Sequence, residues 1–237
     1  MKDPLKHFYN LFPYNSQTIQ RYESGECYVF VQLKNGRTGV CATLNDSPVD
    51  IDPFSLIPDL DNYHHRMIYN AWLNATINDD WKADGKDDIF DVIPVDKDVN
   101  TIMVGFFRPV VKRFDKAGVP LKVFDRAVTD ERLENMDDLK DEIVKADQII
   151  VTSTTIFNGT FFEVLSLNRN SVPVYMLGPS TILHDDMFKY PGVKGLFGMS
   201  FKKFDNKTGD IIASGGGTRD FNIFATKIYR RSQDLPL

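Results

Sequence analysis

A chain of 237 residues with 42% hydrophobic and 26% charged side chains has the composition of a globular protein, large enough for one big domain or two modest ones. Its 28 basic and 33 acidic residues leave a formal charge of -5, which argues against nucleic acid or an anionic membrane as its main partner. No stretch approaches the roughly 18 to 20 apolar residues of a membrane span. The segment MKDPLKHFYNLFPYN lacks the apolar run of a signal peptide, and the two cysteines suit a reducing cytoplasm.

In chain order, the pattern predicts a short helix over about 4 to 12, then two strands in ECYVFVQLKNGRTGVCATL around an Asn35-Gly36 turn. A two-residue turn there pairs Phe30 with Cys41 and Cys27 with Leu44, so the thiols are out of register for a bridge and read as small core residues. The proline-rich DSPVDIDPFSLIPDLD is a loop, and NYHHRMIYNAWLNATIN has helical spacing of its apolar positions. The charged stretch from about Trp81 to Asn100 is the expected boundary between a unit over 1–95 and a second over 96–237.

Beyond it, strands alternate with helices. TIMVGFF is a strand, and RPVVKRFDKAG is a helix closed by Gly118. PLKVFD is a strand, NMDDLKDEIVKA a helix and DQIIVTS a strand; NGTFFEVLSLNRN is a helix and VPVYMLGPS a strand. A further strand is expected near VKGLFGMSF and a final helix over GGGTRDFNIFATKIYRR. This alternation means an α/β fold with a parallel sheet wrapped by helices. Ligands on such sheets bind beyond the carboxyl ends of the strands. The loops there are Gly105-Phe106-Phe107, Asp125-Arg126, Ser153 to Thr160, and Gly178-Pro179-Ser180-Thr181.

The stretch VTSTTIFNGTFFEVLSL gathers Thr152, Ser153, Thr154, Thr155, Asn158 and Thr160 at one strand-to-helix junction. One such residue caps a helix; six suggest the wall of a site. FNGT reads as a helix start, whose free amides suit an anion, with a simple cap as the alternative. The first strand ends in VGFFRP and not in a G-x-G-x-x-G turn, so a nicotinamide dinucleotide site is poorly supported, although Asp125 stands 20 residues beyond Gly105 where such folds hold a ribose. His184 is the best placed histidine for acid-base or metal work, with capping as its alternative. His64 and His65 are adjacent and diverge on a helix. Zinc or calcium motifs and a G-x-S-x-G elbow are not found.

At VGFF, TSTTIFNGTFFEVL, LGPSTIL and the late GGG the sequence resembles the heavy-metal-chelation family, domain of unknown function 364, over about residues 100 to 220. The resemblance implies a Rossmann-like second domain, preceded by a smaller α+β domain resembling the enolase amino-terminal domain, with a site in the cleft between them. It carries over Gly105, Ser153, Thr154, Asn158, Gly159, Thr160, Gly178, Pro179, Ser180 and Thr181, and more weakly Asn74. With Phe106, Asp125 and Thr155 from the loop reading, these are the candidate ligand-binding residues. The leading expectation is a cytoplasmic protein that binds a small polar or anionic metabolite, or a metal chelate, between two units. An enzyme using Asp125, Arg126 and His184 on a nucleoside-like or heteroaromatic molecule is the alternative, and a metal carrier the third. Cofactor, metal and a second copy of the chain as partner stay open.

Overall fold

The computed structural model describes residues 2–44, 46, 49–78 and 82–233. Trp81, where the expected boundary begins, and Ser47 and Pro48 of the proline-rich loop lie outside them.

Helix α1 (Pro4–Leu11) starts at Asp3, whose carboxylate accepts from the Lys6 amide, with Pro4 in the first turn where no amide donor is needed. Three strands follow in one antiparallel sheet of order β1-β2-β3: β1 (Ile19–Ser24), β2 (Tyr28–Leu33) and β3 (Thr38–Ala42). Strand β1 is additional to the two expected strands, and the hairpin sits one residue from the expected register. Val29, not Phe30, faces Cys41, and Thr43 donates its amide to the Cys27 carbonyl. The connection is a three-residue loop, Lys34-Asn35-Gly36, because Leu33 still pairs with Arg37 and Gly36 takes the left-handed conformation (φ 82°) that ends such a loop. Both cysteines are free.

Helix α2 (Tyr63–Ile77) begins at Asn62, which accepts from the amides of His64 and His65. It lies on β3 at Gly39, where a Cβ would stand 2.2 Å from the Ala75 nitrogen and 2.3 Å from the Ala71 oxygen. Only glycine allows that approach. The other face of this sheet meets α8 (Lys207–Ala213), with Gly209 against the Phe30 ring. Cover on both faces explains why all six residues of β2 are buried.

The larger sheet has the order β5-β4-β6-β7-β8-β9. Strands β4 (Thr101–Val104), β5 (Leu121–Phe124), β6 (Gln148–Thr152), β7 (Val174–Leu177) and β8 (Val193–Phe201) are parallel. Ile102, Ile149 and Val151 alternate with Met103 and Ile150 into separate apolar clusters, as helices on both faces require. On one side lie α3 (Ile89–Val92) and α4 (Arg108–Ala117, closed by Gly118 in the left-handed conformation). On the other lie α5 (Leu139–Lys145) and α7 (Phe161–Leu167). The fold is a Rossmann-like α/β sheet flanked by helices, with a separate small antiparallel sheet.

Two expectations for this half are corrected. GGGTRDFNIFATKIYRR is not one helix: α9 (Thr218–Phe221) is a single turn, and Ala225–Arg231 is strand β9, antiparallel to β8. The nine-residue β8 offers a long edge, and pairing with it outweighs the weak helical pattern of the segment. The junction after β6 also differs. The helix starts at Thr154, not at Asn158: α6 (Thr154–Asn158) ends at Gly159 in the left-handed conformation (φ 81°), and α7 begins after Thr160.

Buried polar groups weld the two sheets together. Asn70, Asn74 and Asn78 fall on one face of α2 at four-residue spacing. Asn70 donates to the Ser180 carbonyl (3.2 Å) and Asn78 to the Thr181 carbonyl (2.8 Å), while the Leu183 amide returns a bond to Asn78. The buried Arg66 guanidinium donates to the carbonyls of Ile156, Phe157 and Leu60 and pairs with Asp3 at 2.8 Å. It thereby satisfies carbonyls at the end of α6, where a helix dipole favours a cation.

Candidate functional site

The chain leaves β4, turns outward to β5, then returns to β6 on the other side, so the strand order reverses between the carboxyl ends of β4 and β6. A crevice is expected at such a switch point. A cavity of about 810 Å3 opens there. Its floor is the ends of β4 to β8, through Val104, Phe124, Thr152, Leu177 and Phe197. Its far wall is Tyr28 and Ala42 of the small sheet, Leu44 just beyond it, and the α9 turn.

Of the candidate residues, Gly105, Phe106, Asp125, Thr154, Thr155, Asn158, Thr160, Gly178 and Pro179 line this one cavity. Ser153, Gly159, Ser180, Thr181 and Asn74 do not line it. Ser153 is buried beside Gly178, which has a φ of 138° and where a Cβ would stand 2.5 Å from the Ser153 hydroxyl. Gly105 is pressed against Thr152 in the same way. Both glycines are therefore required by packing between neighbouring strands. Ser180 accepts from the Ala42 amide (2.9 Å), and the Thr181 hydroxyl donates to the carbonyls of Gly178 and Phe197. Asn74 donates to the Val40 carbonyl. These residues hold the joint between the sheets, and Gly159 is exposed with open space around it.

The polar wall is ordered by its own bonds. Asp125 accepts from the amides of Phe106 (2.7 Å), Ala127 (2.7 Å) and Val128 (3.2 Å), which ties the loop after β4 to the loop after β5. Asn158 accepts from both the amide and the hydroxyl of Thr160. Thr155 donates to the Thr152 carbonyl, and the hydroxyls of Thr152 and Thr154 meet at 3.1 Å. Apolar and aromatic groups cover most of the remaining wall, including Phe90 under Arg113 (4.3 Å) and Phe106 between Arg108 and Arg132.

Sequence reading missed the far wall. Tyr28 meets Thr218 at 2.6 Å and packs edge-on to Phe221, so α9 is anchored to the small sheet, while Asp220 caps the Gly217 amide. The SGGG run preceding α9 was the available signal. Of the acid-base candidates, His184 lies away from the cavity. Its Nδ1 accepts from the Asp186 amide, and its ring meets Phe8 and Phe12 edge-on. Arg126 reaches the cavity but is paired with Glu163 at 3.0 Å.

Residues 88–231 match a family described as "Putative heavy-metal chelation", DUF364. The chain belongs to this family. Two DUF364 crystal structures of unknown function share the fold. One, from Pyrococcus horikoshii, is 22% identical with a TM-score of 0.72, over 90% of this chain and 93% of that one. The other, from Desulfitobacterium hafniense DCB-2, is 17% identical with a TM-score of 0.70, over 96% and 98%. No curated protein matches the chain.

The described side chains of this DUF364 protein do not fit a metal held by protein donors. Among the described residues no group of three or more His, Cys, Asp or Glu could hold an ion. Burial pushes the Cys41 thiol up to about 12, and burial with the nearby Glu26 and Asp220 charges raises that of Cys27, so neither is a ready thiolate. Among the described residues no helix is long and apolar enough to cross a membrane.

Proposed function

We propose that this DUF364 protein binds a small polar metabolite with an apolar body in the cleft between a unit over 1–95, similar to the enolase amino-terminal domain, and a unit over 96–237. The observation that carries the reading is the cavity of about 810 Å3 at the switch point, walled by strand ends of one sheet and by Tyr28 and Ala42 of the other, with Leu44 beside them. That volume falls within the roughly 300 to 1,000 Å3 of ordinary ligand pockets, and a mostly apolar wall with a few oriented polar groups is their usual make-up. A metal enters this reading as part of a chelate that brings its own donors, which reconciles the family description with a cleft poor in metal ligands. An enzyme built on Asp125, Arg126 and His184 has less support. The first spends its oxygens on three amides, the second is paired, and the third lies outside the cavity.

Native mass spectrometry with elemental analysis of freshly purified protein tests the proposal. The parent should retain a small molecule, and Thr154→Trp, which fills the polar end of the cavity, should lose it without unfolding. A parent that carries nothing, and takes up nothing from a cell extract, would remove the reading.

A further inference from the structure

Two open polar groups on the cavity wall are donors. Five carboxylates line it, and four of them are bonded. Asp125 and Asp220 accept from backbone amides, and Asp88 binds Arg113 (3.0 Å) and Lys227 (2.9 Å). Glu163 binds Arg126, and the exposed Asp87 lies near Tyr229. Five cations line it as well. Four are tied: Arg113, Lys227 and Arg126 by those pairs, and Arg108 by Asp130 at 3.9 Å and by the Phe106 ring. The fifth, Arg219, has no side-chain partner among the described residues. It is held on α9, which Tyr28 and the Asp220 cap fix against the small sheet.

Asn158 adds a second free donor. A backbone N–H can only donate, so the bond from the Thr160 amide identifies the bonded Asn158 atom as its oxygen and leaves the amide NH2 without a partner among the described residues. A wall that offers an open guanidinium and an open amide NH2 suits an acceptor-rich, negatively charged group. The rest of the wall is rich in rings: Tyr28, Phe90, Phe106, Phe107, Phe124 and Phe197. Such a wall suits a planar apolar body.

Resting on the reading of the cleft as a binding site, we infer that its ligand is an aromatic organic acid and that Arg219, assisted by the Asn158 amide, selects its acidic group. The positive charge is supplied by α9 and the ring-lined floor by the large sheet, so the acid group bridges the two walls.

The probes are 8-anilinonaphthalene-1-sulfonate and its uncharged parent, N-phenyl-1-naphthylamine, followed by fluorescence titration. The parent protein should bind both. Arg219→Met should weaken the sulfonate about tenfold to a hundredfold, the size of a lost charge-assisted bond, and change the neutral probe less than about twofold. Asn158→Asp keeps the acceptor for Thr160 and replaces the free NH2 by oxygen, so it should also weaken only the sulfonate. If Arg219→Met binds the sulfonate as the parent does while Thr154→Trp abolishes it, the cleft reading stands and the inference fails. If the parent binds neither probe, the cleft reading fails and takes the inference with it.

Discussion

Two stretches at carboxyl ends of neighbouring parallel strands, TSTTIFNGT at the end of β6 and LGPST at the end of β7, are both rich in hydroxyl residues, yet those side chains end in different situations. Thr154, Asn158 and Thr160 of the first are half-buried on the cavity wall. Ser180 and Thr181 of the second are 1% and 0% exposed and bond to Ala42, Gly178 and Phe197. The difference arises from what covers them. Helix α2 and its cap Asn78 close over the second loop through Asn70 and Asn78. Helix α2 also grips the buried side of α6 through Arg66, but Thr154, Asn158 and Thr160 point the other way, into the crevice that α9 leaves open. Hydroxyl and amide side chains at a strand end are therefore either a joint or a site, according to the element packed above.

The sharpest test of the joint is Arg66→Met. It leaves the Ile156, Phe157 and Leu60 carbonyls and the Asp3 carboxylate without their donor, and should cost about 3 to 5 kcal/mol by urea unfolding. A loss near that of a surface substitution would mean the two sheets hold together without it.

Ser180→Ala should cost about 1 to 3 kcal/mol, because the buried Ala42 amide loses its acceptor. The matched change on the cleft side, Thr154→Val, should stay within about 0.5 kcal/mol. At about 2 to 4 °C per kcal/mol for a chain of this size, thermal melts separate the two. Equal losses would erase the contrast between the loops.

Gly159→Ala should cost about 1 kcal/mol through backbone strain alone, since its φ is 81° and no atom lies within 4 Å of an added Cβ. Binding of any cleft ligand should be unchanged. A binding defect would return Gly159 to the site.

The smallest effect concerns pH. Burial lowers the His184 pKa below its ordinary 6.5, with Arg230 and Lys82 acting in the same direction and Asp185 and Asp186 opposing. The unfolded chain then binds more protons, so the stability that neutral His184 contributes is present above the ordinary value and is lost as pH falls through it toward the lowered folded value. Protonation of Nδ1 would also remove the acceptor of the Asp186 amide. His184→Asn keeps a capping acceptor that does not titrate. Its stability should fall less than that of the parent between about pH 7.5 and pH 5. Parallel slopes would assign the acid sensitivity elsewhere.

The amino-acid sequence by itself determined the parallel α/β half, because strand–helix alternation and the Gly118 stop are local signals. It also determined that the loops at strand ends would meet, since parallel topology puts every such loop on one side of the sheet. The helix over Tyr63–Ile77 was legible, but its Asn70, Asn74 and Asn78 stripe was not read as a joint, although the four-residue spacing was there to see. Only the tertiary structure decided that Ala225–Arg231 is a strand, because the edge of β8 supplies its partners from outside the segment. Only it separated Ser180 from Thr154, and only it left Arg219 as the cleft cation without a side-chain partner among the described residues. Burial and pairing are properties of the packed neighbours, and those neighbours come from remote stretches of the chain.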